Sequence, residues 1–367
     1  MRIVINAAGV SDYFGQRELR RYYSECLIRM MRAESGSTFW VFPSEFFSAP
    51  EWNGIPRETL SIKSGLPFNL SFPALINKRM DSAMQEKQID FMLSLGWPDP
   101  AIASVPHFIW LPDEEILRIQ NKNHRLQKLS SQENIRLLTD STANKNFFIS
   151  NFSWKEEKVL IVPLAPAESA LPMSWTEKEQ VRIKYAGGRE YFIARSSVPE
   201  DNIMLLLKAF SIFKKKQQTN MKLIIAGSAG EPDYIPHEKL ESYKYRDDVH
   251  AYAGIAEKEI LNLLGSAYAL VQPVQTSSAL SILNAMQSEI PVISGRKPDE
   301  VSGDTVLYSE PLEQESLGEA MIKLFTNEEL RNDLIRKGRI WAAQYNIQQA
   351  VGTLWESLSS AKANMRH

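Results

Sequence analysis

The sequence predicts an α/β protein of two doubly wound, Rossmann-like domains, each built on a parallel sheet. Short apolar runs alternate with amphipathic helical patterns along the chain, which is typical of strand–helix–strand units. The chain has 367 residues, enough for two domains of about 150 residues each. The proline-punctuated stretch APAESALP, residues 165–172, predicts a linker, and we expect domain boundaries after residues 165 and 345.

The first half, residues 1–165, shows an amphipathic helix and several strand-like runs. The helix is predicted over Arg17 to Arg32, where apolar residues recur at helical spacing. The strands are predicted at Arg2 to Ala7, Phe39 to Phe42, Asp90 to Leu95, His107 to Leu111, Arg136 to Thr139 and Val159 to Leu164.

The second half repeats the alternation more clearly. Its strands are predicted at Arg189 to Ala194, Lys222 to Gly227, Ala267 to Val274 and Ile290 to Ser294. Its helices are predicted over Asn202 to Lys216, through LSILNAM at 280–286, and over Met321 to Phe325, Leu330 to Tyr345 and Ile347 to Ser359. The lysine run at 214–216 is expected at a helix C-terminus, where positive charge complements the helix dipole.

Charge and cysteine content exclude several classes of protein. The net charge is −2, so no global basic field indicates nucleic acid as a partner. Cys26 is the only cysteine, which excludes an intrachain disulfide and a thiolate metal cluster, and the scattered histidines predict no metal site. Walker, GxGxxG and GxSxG motifs are absent, so P-loop hydrolysis, dinucleotide redox chemistry and serine hydrolysis have no support.

The apolar segments are too short to span a membrane, and a cytoplasmic location is expected. The helix at Arg17 to Arg32 carries five arginines around an apolar face. A solvated outer face explains such a helix, and the alternative is peripheral contact with the inner face of the membrane.

The predicted topology indicates where a ligand binds. Open parallel sheets bind ligands at the carboxyl ends of their strands, where the strand order reverses, and phosphate groups favour helix N-termini. The expected site is therefore the cleft between the two domains.

Ordered motifs in the second half resemble those of the retaining family-four glycosyltransferases, also called glycosyl transferases group 1. They are YFIARSSVPEDNIMLLLKAF at 191–210, KLIIAG at 222–227, VHAYAGIAEKEILNLLGSAYALVQP at 249–273, LNAMQSEIPVIS at 283–294 and YNIQQAVGTLWE at 345–356. The resemblance implies the GT-B fold, with two domains facing a central cleft. It also implies that the last helix, in 346–367, crosses back toward the N-terminal domain.

The resemblance assigns the donor-binding residues one by one. Arg195 matches the diphosphate-binding arginine, and Asn284 stands at the second position of the family's Glu-x7-Glu motif. The remaining donor-binding positions are Gly227, Gly254, Ile255, Ser277, Ser278, Ala279 and Leu280.

The chain departs from the family pattern at its charged positions. Thr276 and Asn284 replace the two glutamates, and Asp201 stands where a diphosphate-binding lysine is expected. An amide can still hydrogen-bond a ribose hydroxyl, but it lacks the charge-assisted bond of a carboxylate.

No catalytic residue is assigned, and Thr276 and His107 are the candidates. Gly15 and His107 are the acceptor-side candidates. Other interpretations stay open: Arg195 as a surface ion pair, Asn284 as a helix N-cap, the serines at 277–278 as turn residues, and His107 as a structural histidine.

The resemblance implies a glycosyltransferase that moves a sugar from a UDP- or GDP-linked nucleotide sugar to a glycan or lipid-linked acceptor, without cofactor or metal. The expected setting is bacterial surface polysaccharide biosynthesis. The alternative is a catalytically inactive GT-B protein that acts as a partner subunit or glycan-binding scaffold. A third interpretation is a GT-B enzyme of other chemistry, such as an epimerase or phosphorylase.

Overall fold

The computed structural model describes residues 1–10, 17–60, 73–96, 105–111, 123–196, 200–228, 235–273, 279–295 and 303–364, and the chain divides into two compact units. Unit 1 holds Met1–Tyr13, Arg20–Leu164 and Ile347–His367, and unit 2 holds Phe14–Leu19 and Ala165–Asn346. The predicted boundaries, after residues 165 and 345, lie beside those of the two units.

Unit 1 is built on a seven-stranded parallel sheet in the order β3-β2-β1-β4-β5-β6-β7. Its strands are β1 (Arg2–Asn6), β2 (Thr38–Val41), β3 (Glu58–Thr59), β4 (Phe91–Leu95), β5 (His107–Trp110), β6 (Ile135–Thr139) and β7 (Val159–Ile161). The helices along this part of the chain are α1 (Arg17–Ala33), α2 (Pro73–Glu86), α3 (Asn123–Ser130) and α4 (Thr142–Phe152). The first turn of α1, up to Leu19, belongs to unit 2.

Unit 2 has a six-stranded parallel sheet in the order β10-β9-β8-β11-β12-β13. Its strands are β8 (Tyr191–Arg195), β9 (Lys222–Ser228), β10 (Val249–Ile255), β11 (Ala269–Gln272), β12 (Val292–Ser294) and β13 (Leu307–Tyr308). Its helices are α5 (Trp175–Ala186), α6 (Glu200–Gln217), α7 (His237–Glu241), α8 (Glu257–Ser266), α9 (Ala279–Gln287), α10 (Gln314–Thr326) and α11 (Glu328–Ala342). The last helix of the chain, α12 (Ile347–Asn364), belongs to unit 1.

Both faces of the inner strands of the unit 2 sheet are buried, which explains why these strands are continuous apolar runs. Along β8, Phe192 and Ala194 pack into one hydrophobic cluster, whereas Tyr191 and Ile193 pack into another. This alternation follows from the two-residue period of a strand. All five residues of β8 are buried, so Arg195 is a charged residue at the end of an otherwise apolar strand.

Helix α5 was not predicted, although the sequence signals its start. Ser174 and Glu177 form a capping box: the Ser174 side chain accepts from the Glu177 amide, and the Glu177 carboxylate accepts from the Ser174 amide. Half of the helix residues are exposed, and the apolar Trp175 and Ile183 are among them, so the apolar spacing is weak and the S-x-x-E pattern was the usable signal.

The lysine run at the end of α6 is not uniformly solvated. Lys214 is only 6% exposed, lies 2.8 Å from the Asp248 carboxylate and donates to the Thr219 and Met221 carbonyl oxygens. Lys216 pairs with Glu319 at the surface. The predicted helix end is confirmed, but Lys214 hydrogen-bonds to the backbone that follows α6 rather than facing solvent.

Among the described helices, none combines the length and apolar content needed to cross a bilayer. In α1, Arg20 donates to the Glu45 carbonyl oxygen at 3.1 Å, and Arg21 lies 3.7 Å from Glu25. These contacts give two of the five arginines of the helix partners within the protein. Peripheral membrane contact stays a prediction.

Candidate functional site

The strand order of unit 2 reverses between β8 and β11. The chain winds outward through β9 and β10 on one side of β8, and through β12 and β13 on the other. In doubly wound sheets a ligand binds at the carboxyl ends of the strands at such a switch point. The carboxyl end of β8 is Arg195, and it is 9% exposed.

Arg195 is fixed at one end of its guanidinium group by polar residues of neighbouring elements. Its Nη2 donates to Ser228 Oγ at 3.1 Å, and Ser228, the last residue of β9, donates to Glu257 Oε2 at 2.8 Å. Glu257 is the first residue of α8. Among the described residues, the other carboxylate oxygen of Glu257 has no hydrogen-bond partner, although it is buried. The site therefore contains a buried acceptor, Glu257 Oε1, on a side chain that is linked to Arg195 through Ser228.

The other guanidinium nitrogen faces a carboxylate from the first turn of α1. Nη1 of Arg195 lies 3.8 Å from Glu18 Oε1, and the two side chains are 9% and 7% exposed. Ser281 donates its hydroxyl proton to Glu18 Oε2 at 2.5 Å, and Asn284 Nδ2 donates to Oε1 at 3.4 Å. Burial of a charge is tolerated only when it is paired and hydrogen-bonded, and Glu18 and Arg195 meet both conditions.

Asn284 lies in the interior of α9 rather than at a helix N-terminus, so its interpretation as a helix cap is wrong. It is completely buried, and its Oδ1 accepts from the backbone amide of Ala167 at 2.8 Å. This bond fixes the orientation of the amide and directs Nδ2 at Glu18. The interpretation of Arg195 as a surface ion pair is also wrong, because both partners are buried.

The remaining predicted donor-binding residues are distributed along the same edge. Gly227 lies buried in β9, and Gly254 and Ile255 end β10. Gly254 has a φ of +71°, which glycine adopts without strain. Ala279 and Leu280 begin α9, and Leu280 is buried.

Several predicted site residues lie outside the described residues. They are Gly15, Thr276, Ser277, Ser278 and the side chain of Asp201. The donor-binding, catalytic and acceptor-side assignments of these residues stay predictions.

His107 lies at the start of β5 in unit 1 and is completely buried. Its Nε2 is 2.8 Å from Ser94 Oγ, and among the described residues its Nδ1 has no hydrogen-bond partner. Burial lowers the pKa of His107 to about 4, so the ring is neutral at pH 7. The structure thus places His107 inside a sheet, and its acceptor-side or catalytic role stays a prediction.

Residues 176–341 match the protein family Glycosyl transferases group 1. The match covers less than half of the 367-residue chain and lies within unit 2. It includes Arg195, Ser228, Glu257, Ser281 and Asn284, and excludes Glu18.

A curated relative matches over a similar length. The chain is 24% identical over 172 residues to an MMP alpha-(1->4)-mannosyltransferase from Mycolicibacterium hassiacum. The aligned stretch covers 47% of this chain and 39% of the relative, so the chain spans well under half of the length of the curated relative it matches.

Solved structures match nearly the whole chain. Anabaena Alr3699/HepE in complex with UDP-glucose has a TM-score of 0.74 at 17% identity, covering 98% of this chain and 100% of that one. WaaG, a glycosyltransferase involved in lipopolysaccharide biosynthesis, has a TM-score of 0.69 at 14% identity, covering 97% and 99%. At such identities the likeness shows the fold alone, and that fold is the GT-B fold of two Rossmann-like domains.

Sequence reasoning missed four members of the candidate site: Glu18, Ser228, Glu257 and Ser281. Ser228 follows directly after the predicted KLIIAG strand, so its place at a strand end was a usable signal. Glu18 lies 263 residues from Ser281 along the chain, and nothing in the local pattern connects the two. Within the described residues, no group of three or more His, Cys, Asp or Glu side chains could hold a metal ion.

Proposed function

We propose that this protein is a glycosyltransferase that moves a sugar from a nucleotide-sugar donor to a glycan or lipid-linked acceptor. The observation that carries the proposal is Arg195, which lies at the carboxyl end of β8 inside the segment that matches Glycosyl transferases group 1. A guanidinium group held at a switch point suits an anionic ligand.

The proposed role of Arg195 is to bind the donor's diphosphate. When the sugar leaves, negative charge grows on the diphosphate, and a fixed donor aimed at that charge lowers the barrier. A guanidinium group can supply two parallel N–H donors to phosphate oxygens. The N-terminus of α9, which follows β11, would add backbone amides and the positive end of a helix dipole.

The donor and acceptor classes rest on the similar proteins. HepE was solved with UDP-glucose, and the curated relative is a mannosyltransferase, which favours a UDP- or GDP-linked hexose. WaaG acts in lipopolysaccharide biosynthesis, which supports a role in bacterial surface polysaccharide assembly at the cytoplasmic face of the membrane. Retention of the anomeric configuration is proposed from the motif resemblance.

A nucleotide panel tests the proposal. Thermal unfolding is followed with UDP, GDP, ADP, CMP and their common sugar conjugates, and we expect stabilisation by one base family. A ligand at 100 times its dissociation constant raises the free energy of unfolding by about 2.7 kcal/mol. The nucleotide sugar so identified should then release its nucleoside diphosphate when an acceptor glycolipid is added. Absence of any shift at millimolar concentrations would count against the proposal.

A catalytically inactive partner subunit is the second candidate. It is favoured by the carboxylates of Glu18 and Glu257, which neutralise the surroundings of Arg195 in the described site. This candidate requires that no nucleotide stabilises the protein and that it copurifies with an active transferase. A shift with one base family, followed by turnover, would eliminate it.

A further inference from the structure

One carboxylate in unit 2 gathers donors of three chemical types. Glu18 accepts from the Ser281 hydroxyl at 2.5 Å and from the Asn284 amide at 3.4 Å, and it faces the Arg195 guanidinium at 3.8 Å. All four side chains are buried. The three donors form a preformed anion-binding site, and the anion that occupies it is the Glu18 carboxylate of the protein itself.

The donors come from separate elements that are fixed independently of Glu18. Arg195 is bound to Ser228 through its other nitrogen, and Asn284 is bound to the backbone of Ala167 through its oxygen. Ser281 and Asn284 lie three positions apart on α9, so they share one face of the helix. The donors therefore need not rearrange if Glu18 leaves.

The position of this anion site matches the position expected for a phosphate. It lies at the carboxyl end of β8, the switch point of the sheet, where doubly wound folds bind phosphate-bearing ligands. Guanidinium, hydroxyl and amide donors bind phosphate oxygens as they bind a carboxylate. A dianionic or trianionic ligand can use more of these donors than one carboxylate can.

We propose that Arg195, Ser281 and Asn284 bind the diphosphate of the donor, and that Glu18 is an internal competitor which the diphosphate displaces. The inference rests on the proposed function for the identity of the ligand. With both anions present, two like charges would share one buried site, which is strongly unfavourable. Glu18 must therefore release Arg195 before the diphosphate binds.

Competition makes a sharp prediction for affinity. The apparent affinity of a ligand is reduced by the fraction of molecules whose site is open. Removing Glu18 opens the site permanently, so Glu18→Ala should bind inorganic pyrophosphate and UDP or GDP roughly tenfold or more tightly than the wild type. Glu18→Gln keeps the length of the side chain without its charge, and its affinity should lie between those of the wild type and Glu18→Ala.

Isothermal titration calorimetry of the full chain with inorganic pyrophosphate, UDP and GDP measures this effect. Glu25→Gln is the matched control, because Glu25 pairs with Arg21 on the same helix at 31% exposure. It should leave the affinity unchanged. Adding Arg195→Met to Glu18→Ala should abolish binding, which locates the ligand at the proposed site. Circular dichroism shows which variants are folded. If Glu18→Ala is not folded, the affinity of Glu18→Gln is compared with that of the wild type instead.

Equal or weaker binding by the folded Glu18 variants would overturn the competitor role, because Glu18 would then not exclude the ligand. Tighter pyrophosphate binding on loss of Glu18, without turnover of any nucleotide sugar, would sustain the inference and refute the proposed function. Wild-type turnover without a gain in affinity on loss of Glu18 would refute the inference alone.

Discussion

Replacement of Arg195 by methionine should remove detectable nucleoside diphosphate binding and lower kcat/KM for sugar transfer about 100-fold or more, the usual effect of losing one fixed donor to a developing charge. Arg195 is the only arginine or lysine of β8, and it is held at the switch point by Ser228. The matched control is Arg189→Met, which makes the same change at an exposed arginine just before the strand. Titration calorimetry and steady-state kinetics measure both effects.

The same variant should also lose stability, for a separable reason. Without the guanidinium group, the Glu18 carboxylate stays buried without its cation, and breaking a buried pair in this way costs about 3–5 kcal/mol. Adding Glu18→Gln removes the leftover charge and should restore much of the stability without restoring transfer. Urea denaturation measures the stability. A folded Arg195→Met protein with wild-type kcat/KM would refute the assigned role.

Replacement of Lys214 by methionine should lower the free energy of unfolding by about 3 kcal/mol. Lys214 is buried, pairs with Asp248 at 2.8 Å and donates to the Met221 carbonyl oxygen at 3.3 Å. Methionine fills a similar volume but leaves these acceptors without their donor. Lys222 still contacts Asp248 at 2.8 Å, which limits the loss.

Lys216→Met is the matched control for this prediction. Lys216 lies at the same end of α6 as Lys214 and pairs with Glu319 of α10. Both side chains are more than half exposed, so the loss should stay below about 1 kcal/mol. Urea denaturation of the two variants measures the difference. Equal losses would show that Lys214 acts only as surface charge.

The sequence was sufficient to predict the central strands of both sheets because these strands are buried. Buried parallel strands leave continuous apolar runs, and these were found at Arg2 to Ala7 and Lys222 to Gly227 with small errors at their ends. Edge strands leave little pattern. The two-residue strands β3 and β13 were not predicted, and neither was β10, a seven-residue edge strand without a buried residue.

The candidate site was predictable only where the family motifs reach. The resemblance assigned Arg195, which lies at the end of the buried strand β8, and its donor-binding role stays a prediction. Glu18 was not assigned, because its partners lie far away in the chain and the first turn of a helix commonly contains glutamate. The alternative interpretation of Asn284 as a helix cap is wrong because the residue lies inside α9, whereas its donor-binding assignment stays a prediction.

The most direct test of the central claim is a crystal structure of the protein with the nucleoside diphosphate that the panel identifies. We expect diphosphate oxygens within hydrogen-bond distance of Arg195, Ser281 and Asn284, with the Glu18 carboxylate turned away from them. A nucleotide bound elsewhere, with the contact between Glu18 and Arg195 intact, would contradict the account.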